Sequence, residues 1–229
     1  MKKRIIVISL GGSLIVPDKV DTGFLGKFRK VIMGNTNKYK FIIVCGGGSV
    51  ARKYISALEE SGANPKLQSL AGISATRMNA RFMSYFFGLN PERGIPHRMK
   101  EIKKYLKRQD VVFCGALEYK PNQTSDSTSA EIAEKFNSDF INLTDVSGLY
   151  DKNPKKFKDA KFIPEISWGK FNSIANKMKF IPGQHFVLDQ TASGIIMKKR
   201  IKTYILGKNL NNLDALLKGK KFKGSVIGG

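Results

Sequence analysis

Three consecutive glycines, Gly46-Gly47-Gly48, are the residues whose type and spacing point most directly to chemistry. Glycine takes backbone angles that other residues avoid, and it lets an anion approach the amide groups at a helix start. Arg52 follows one helical turn later and adds a positive charge. The spacing fits neither G-x-G-x-x-G nor the P-loop pattern, so it predicts a phosphate-binding turn of another kind. The alternative is a tight strand-to-helix turn that binds no ligand.

Two other stretches have a similar character. Gly11-Gly12-Ser13 forms a second glycine turn after an apolar run, and Thr124 to Thr128 (TSDST) is a hydroxyl-rich helix start. Hydroxyl groups and free amides at a helix start can bind an anion, so the second stretch is a candidate contact for another phosphate.

These turns need strands and helices to position them. Short apolar runs, most of them followed by polar residues or glycine, predict strands at Arg4–Leu10, Phe41–Cys45, Val111–Cys114, Phe140–Leu143 and Thr203–Leu206, with a last edge strand at Gly224–Ile227. Helical spacing predicts helices over residues 21–33, 50–60, 67–87, 99–108, 130–136 and 210–217. Strands alternating with helices indicate an α/β fold with a mainly parallel sheet, and its strand ends would bring the glycine turns to one crevice.

The predicted helix over residues 67–87 contains two polar residues that packing of its apolar side chains does not explain. Arg77 and Asn79 lie two residues apart and cannot share a face of a regular helix. We therefore expect one of them to point to a site or to a partner subunit.

Length and composition favour one globular domain over residues 1–229. The chain has 229 residues and 41% hydrophobic residues, and no segment approaches the roughly 20 apolar residues of a membrane span. The N-terminal apolar run is too short for a signal peptide. The two cysteines, Cys45 and Cys114, lack the spacing of a zinc site or disulfide framework, which favours the cytoplasm.

The net charge of +22 could attract a polyanion. The basic residues are spread along the chain and form neither an arm nor a single helix face, so nucleic acid is not the expected partner.

Several stretches together resemble the amino acid kinase superfamily, and within it the archaeal-type uridylate (UMP) kinases. The matching pieces occur in family order: Gly11-Gly12-Ser13, Gly46 to Ile55, Gly72-Ile73 with Ala75 to Ala80, Thr124-Ser125-Asp126, Thr144 to Pro154, and Leu188-Asp189. The Ala-Thr-Arg-x-Asn-Ala piece is specific to that branch, whereas the glycine turns belong to the whole superfamily.

The resemblance implies a three-layer α/β/α sandwich that transfers the γ-phosphoryl group of ATP, with Mg²⁺, to UMP. Residues 1–140 would bind the acceptor and residues 141–229 would bind ATP, in a homo-oligomer (dimer or hexamer) without a metal site of its own. The implied ATP contacts are Gly12, Ser13, Gly48, Arg52, Thr144, Asp145, Tyr150 and Asn153. The implied UMP contacts are Gly47, Ser69, Gly115, Pro121, Asn122, Gln123 and Thr124, and the implied catalytic residues are Arg52, Asp145, Asp189 and Lys198.

The chain departs from that pattern at several positions. Ser69 and Ser147 stand where aspartates are usual, Gly194 stands where a lysine is common, and Ser9 replaces a lysine of bacterial relatives. The loop from Gly115 to Thr124 is about two residues longer. Three functions therefore stay open: a UMP kinase, a related kinase with another phosphate or carboxylate acceptor, and a nucleotide-binding or nucleic-acid-associated protein without turnover.

Overall fold

The computed structural model describes residues 3–89, 94–121, 123–177 and 187–229. Its strands are β1 (Arg4–Leu10), β2 (Tyr39–Cys45), β3 (Val111–Cys114), β4 (Asp139–Leu143), β5 (Leu149–Tyr150), β6 (Phe162–Ile163), β7 (Glu165–Ile166), β8 (Thr203–Leu206) and β9 (Ser225–Ile227). Seven of them form one sheet in the order β3-β2-β1-β4-β8-β9-β7, and β5 and β6 form a separate hairpin. The mainly parallel sheet expected from the sequence is confirmed.

The first five strands of that order are parallel, so their carboxyl ends lie at one edge of the sheet. Strand β9 is antiparallel to β8 and parallel to β7. The prediction of an edge strand at Gly224–Ile227 is wrong, because β7 pairs with the outer side of β9 and takes the edge position. The two-residue strands β5, β6 and β7 are too short to show a period in the sequence.

The helices are α1 (Gly12–Ile15), α2 (Thr22–Gly34), α3 (Gly48–Glu60), α4 (Pro65–Phe86), α5 (Met99–Leu106), α6 (Ser125–Phe136), α7 (Trp168–Lys177), α8 (Gln190–Lys199) and α9 (Leu210–Leu217). Capping explains several starts. The Asp21 side chain accepts from Phe24 N at 2.9 Å, and Asn64 caps α4 with Pro65 at its first position. Pro65 thus begins α4, two residues before the predicted start at residue 67.

Alternation along the strands divides the core between the two faces of the sheet. Ile6, Ile8 and Leu10 of β1 belong to one cluster, which also contains apolar residues of α2, α4 and α9. Val7 belongs to the other cluster, with residues of α5, α6, α7 and α8. This is the expected three-layer α/β/α sandwich. None of the described helices is long and apolar enough to cross a membrane.

Candidate active site

The two glycine turns cross in direct backbone contact where β1 and β2 end. Gly48 has φ +62°, in the left-handed region that favours glycine. A Cβ atom on Gly12 would lie 2.6 Å from Gly48 Cα, and one on Gly48 would lie 2.5 Å from Gly12 O. Side chains are therefore excluded from both positions, and the expectation that the turns meet is confirmed.

Beside this crossing lies a group of side chains that we name the carboxylate cluster: Ser9, Thr124, Asp126, Ser127 and Asp189. The Ser9 hydroxyl donates to Asp126 Oδ1 at 2.7 Å. The Ser127 hydroxyl lies 2.9 Å from both Asp189 carboxylate oxygens, and Thr124 Oγ1 donates to Asp189 Oδ2. These bonds join β1, the start of α6 and the start of α8 into one network.

Local capping explains why the network forms. Thr124 caps α6 in a capping box with Ser127, and Asp189 caps α8 by accepting from Ala192 N at 2.8 Å. The hydroxyl-rich helix start read from the sequence is therefore confirmed as a helix start. Two helix N-termini carry their capping side chains to the same point.

The surroundings of Asp126 raise the pKa of its carboxyl group. Burial, followed by the charge of Asp189, raises the pKa of Asp126 to about 7, and the hydrogen bond from Ser9 opposes this rise. Near neutral pH this carboxyl group can therefore be present in either form.

Residues 144–155, which follow β4, form a second group at this edge of the sheet, and we name it the β4 segment. Residues 144–146, 148–155 and 187 line a pocket of about 110 Å³. Asp145 forms an ion pair with Lys155, whose side chain is 49% exposed. The ring centroids of Tyr150 and Phe162 lie 5.4 Å apart across the β5–β6 hairpin.

Strand β9 holds this hairpin in place. The Ser225 hydroxyl accepts from Leu149 N at 2.8 Å and donates to Ile163 O at 2.5 Å. The last strand thus anchors one wall of the pocket to the sheet.

Most of the residues implied by the resemblance lie at this edge of the sheet. Gly12, Ser13, Gly47 and Gly48 belong to the crossing, whereas Thr144, Asp145, Tyr150 and Asn153 line the pocket. Thr124 and Asp189 belong to the carboxylate cluster. Gly115 follows β3 at the same edge.

Other residues lie further out. Arg52 is exposed on α3, Pro121 is exposed, and Ser69 is exposed with its hydroxyl donating to Pro65 O at 2.9 Å. The Gln123 amide donates to Glu131 at 2.7 Å. Asn122 lies outside the described residues.

The structure does not bring Lys198 to the other site residues. Asp189 caps the start of α8, and Lys198 is exposed in the last turn of that helix. Nine residues of helix span about 14 Å, so Lys198 lies toward the opposite edge of the sheet.

The sequence marked Asp126 and Ser127 only as part of a candidate phosphate contact, without their link to Asp189, and it gave no role to Lys155. Asp126 stood within the TSDST stretch, but its proximity to Asp189 depends on a contact between α6 and α8, 62 residues apart. One signal was available for Ser9, because a polar residue in an otherwise apolar strand needs a partner when it is buried.

Comparisons with known proteins agree with this geometry. The profile of the amino acid kinase family matches residues 4–207. The uridylate kinase of Thermoplasma volcanium is 37% identical over 218 residues, covering 94% of this chain and 93% of that protein. The uridylate kinase of Methanobrevibacter smithii is 30% identical, covering 97% of this chain and 98% of that protein.

Solved structures agree as well. The crystal structure of uridylate kinase from Archaeoglobus fulgidus matches with a TM-score of 0.83 at 30% identity, covering 97% of this chain and 99% of that one. The UMP kinase of Ureaplasma parvum, at 21% identity and a TM-score of 0.80, covers 100% of both chains and shares the fold.

Proposed function

The chain belongs to the amino acid kinase family, and we propose that it is a UMP kinase, which transfers the γ-phosphoryl group of ATP to UMP and releases UDP and ADP. The named relatives at 30% identity or more, which match nearly the whole chain, support this reaction. One observation carries the assignment within the molecule. The glycine crossing, the pocket and the carboxylate cluster lie together at one edge of the sheet, so a phosphate held at the crossing would have the pocket and the carboxylates of Asp126 and Asp189 close by.

The geometry of the site can promote phosphoryl transfer by holding the reacting groups in position. Phosphoryl transfer requires donors and cations around the moving group and little covalent help. Gly48 begins α3, whose first backbone amide groups can donate to a phosphate, and glycine at positions 12 and 48 allows the two turns to approach this closely. Arg52, exposed one helical turn into α3, would add a positive charge for the phosphates of a bound nucleotide.

The donor is ATP as its magnesium complex. Magnesium ions are usually held by one or two carboxylates together with the substrate phosphates. Asp126 and Asp189 provide two carboxylates side by side, and the described residues contain no larger group of metal-ligating side chains. The residues therefore fit an ion that arrives with ATP.

We assign donor and acceptor to the two halves of the chain. Residues 141–229 contain the pocket and would bind ATP through Thr144, Asp145, Tyr150 and Asn153. Residues 1–140 would bind UMP through Gly47, Ser69 and the loop from Gly115 to Thr124. A homo-oligomer and a cytoplasmic location stay predictions.

An acceptor survey tests the function. ADP release would be measured with ATP and Mg²⁺ against UMP, dUMP, CMP, AMP and acetylglutamate, with each acceptor omitted in turn. UMP should give the highest kcat/KM. Turnover with acetylglutamate and none with UMP would contradict the acceptor, and no turnover with any of them would contradict the kinase activity.

Ser69 makes the acceptor survey more specific. Its hydroxyl is already bonded to Pro65 O, whereas an aspartate at this position could accept a charge-assisted hydrogen bond from a ribose hydroxyl. Ser69→Asp should therefore improve discrimination against dUMP by about 1 kcal/mol, or roughly fivefold in the ratio of kcat/KM values. An unchanged ratio would remove Ser69 from the ribose site.

A further inference from the structure

Helix α4 carries three polar side chains, Thr76, Arg77 and Asn79, for which phosphoryl transfer as described above gives no role. The sequence predicted that Arg77 and Asn79 could not share a face and that one of them would point to a site. The structure shows that both are bonded to turns at the site edge of the sheet, each to a different one.

Asn79 holds the turn Gly46-Gly47-Gly48, which we name the phosphate turn. It is 4% exposed, and its amide donates to Gly46 O at 2.8 Å and to Gly47 O at 3.3 Å. Both carbonyl groups belong to the turn that crosses Gly12. A buried side-chain amide with two main-chain acceptors fixes the orientation of the peptide planes it contacts.

Arg77 and Thr76 hold the start of the loop from Gly115 to Thr124, which we name the acceptor loop. Arg77 Nε donates to Ala116 O at 3.1 Å, and one of its terminal nitrogens donates to Leu117 O. Thr76 Oγ1 accepts from Ala116 N at 3.0 Å. A Cβ atom on Gly115 would lie 2.6 Å from Arg77 N, so the loop begins in backbone contact with the helix.

These contacts determine which way the loop presents its main chain. The C=O and N–H groups of a planar trans peptide point in opposite directions. When the carbonyl groups of Ala116 and Leu117 face Arg77, the amide groups of the same two peptides face away from α4. Amide groups that face away from the helix can donate to a bound anion.

We propose that Arg77, supported by Thr76, is a positioning residue for the phosphoryl acceptor, and that α4 is a brace setting the acceptor loop against the phosphate turn; this inference rests on the proposed UMP kinase function. Arginine suits this role because its planar fork can donate to two carbonyl groups at once and stays charged. The turn that follows β2 and the loop that follows β3 are thereby both hydrogen-bonded to one helix, α4. The spacing Thr76-Arg77-x-Asn79 is what places donors on both sides of it.

Initial-rate kinetics on Arg77→Gln, Arg77→Lys and the control Arg81→Gln test the proposal. Arg81 lies one turn further along the same helix and is exposed. Losing charged hydrogen bonds to the loop should raise the KM for UMP about tenfold in Arg77→Gln while the KM for ATP changes less than about twofold. Arg77→Lys should fall between wild type and Arg77→Gln, because a lysine keeps the charge without the fork. Arg81→Gln should behave as wild type.

A second measurement needs no substrate. Hydrogen exchange of backbone amides in residues 113–121 should become faster in Arg77→Gln and stay unchanged in residues 41–48, whereas Asn79→Ala should show the reverse pattern. Equal changes in both KM values, or unchanged exchange in 113–121, would overturn the inference. If wild type exchanges as expected but does not phosphorylate UMP, the proposed function fails and the brace still stands as a structural assignment.

Discussion

The carboxylate cluster and the β4 segment lie at the same edge of the sheet, but different interactions hold them in place. In the cluster, Ser9 is 1% exposed and Ser127 is fully buried, and both donate to carboxylates. In the segment, Asp145 pairs with the half-exposed Lys155, and Lys152 pairs with Asp159, whose side chain is 75% exposed.

The difference shows which part of the site is fixed before substrates bind. Charges withdrawn from water are costly unless they are hydrogen-bonded, so the hydroxyl partners of Asp126 and Asp189 stabilise the cluster. Exposed ion pairs contribute about 0–1 kcal/mol and weaken in salt. We therefore expect the carboxylate cluster to be rigid before substrates bind and the β4 segment to adjust to its ligand.

The largest effect is expected from Asp126→Asn, which removes a charge from the rigid side. We expect kcat to fall about 100-fold or more, because the site loses one of two carboxylates that can hold the cation accompanying ATP. Steady-state assays at saturating ATP and UMP measure this loss. Wild-type kcat in the variant would show that the cluster is structural only.

The same variant should gain stability at high pH. The pKa of Asp126 is raised in the fold to about 7, so the free energy of unfolding of the wild type falls as pH rises from about 4 to about 7 and levels off above that. An asparagine does not ionise and avoids this loss. Asp126→Asn should therefore unfold with a free energy higher by an amount on the order of 2 kcal/mol at pH 8 and similar to wild type at pH 4. Denaturant titrations at the two pH values would show it, and a constant difference would contradict the burial of this charge.

A smaller effect is expected from Ser127→Ala, with Ser129→Ala as its matched control. Both serines are fully buried on α6, but Ser127 donates to the Asp189 carboxylate whereas Ser129 donates to the Ser125 carbonyl. Hydrogen bonds to charged groups contribute about 1.5–3 kcal/mol and neutral ones about 1 kcal/mol. Ser127→Ala should thus lower the free energy of unfolding more than Ser129→Ala does, and equal losses would mean that Asp189 has sufficient other partners.

On the adaptable side, Lys155→Ala should cost less than about 1 kcal/mol of stability. If Lys155 also faces the ATP phosphates, the KM for ATP should rise by about threefold at low salt, and this rise should shrink in 0.5 M salt because the charge is screened. The KM for UMP should not change. A large loss of stability would place the segment with the rigid side.

The smallest effect is expected from Gly194→Ala, on the helix that carries Asp189. A Cβ atom at this position meets nothing within 4 Å, as at Gly26 of α2. Alanine in a helix interior is favoured over glycine by up to about 1 kcal/mol, so thermal unfolding should move up by a few degrees with kcat unchanged. Gly26→Ala is the control; a gain there alone would mean that α8 is strained at Gly194.

The sequence predicted those parts of the molecule that depend on local pattern. The five parallel strands and the meeting of the glycine turns follow from apolar runs and glycine positions, and both are confirmed. The position of β9 could not be read in this way, because it depends on pairing with β7, about 60 residues earlier in the chain.

The site shows the same division. Thr124 was recognisable as a helix start, but its bond to Asp189 joins residues 65 apart. Lys198 was chosen because it follows Gly194 in sequence, although helical geometry carries it along the axis and away from Asp189. Spacing indicates which residues share an element and does not indicate which elements meet.

The crossing of Gly12 and Gly48 also limits how the chain can evolve. A side chain added at either position would meet main-chain atoms of the other turn, and no exchange of a neighbouring side chain can remove a backbone atom. Compensating mutations, which rescue many packing defects, are therefore closed to both positions. Both glycines must therefore be retained together, whereas Gly194 and Gly26, where a Cβ atom would meet nothing within 4 Å, can be exchanged for alanine.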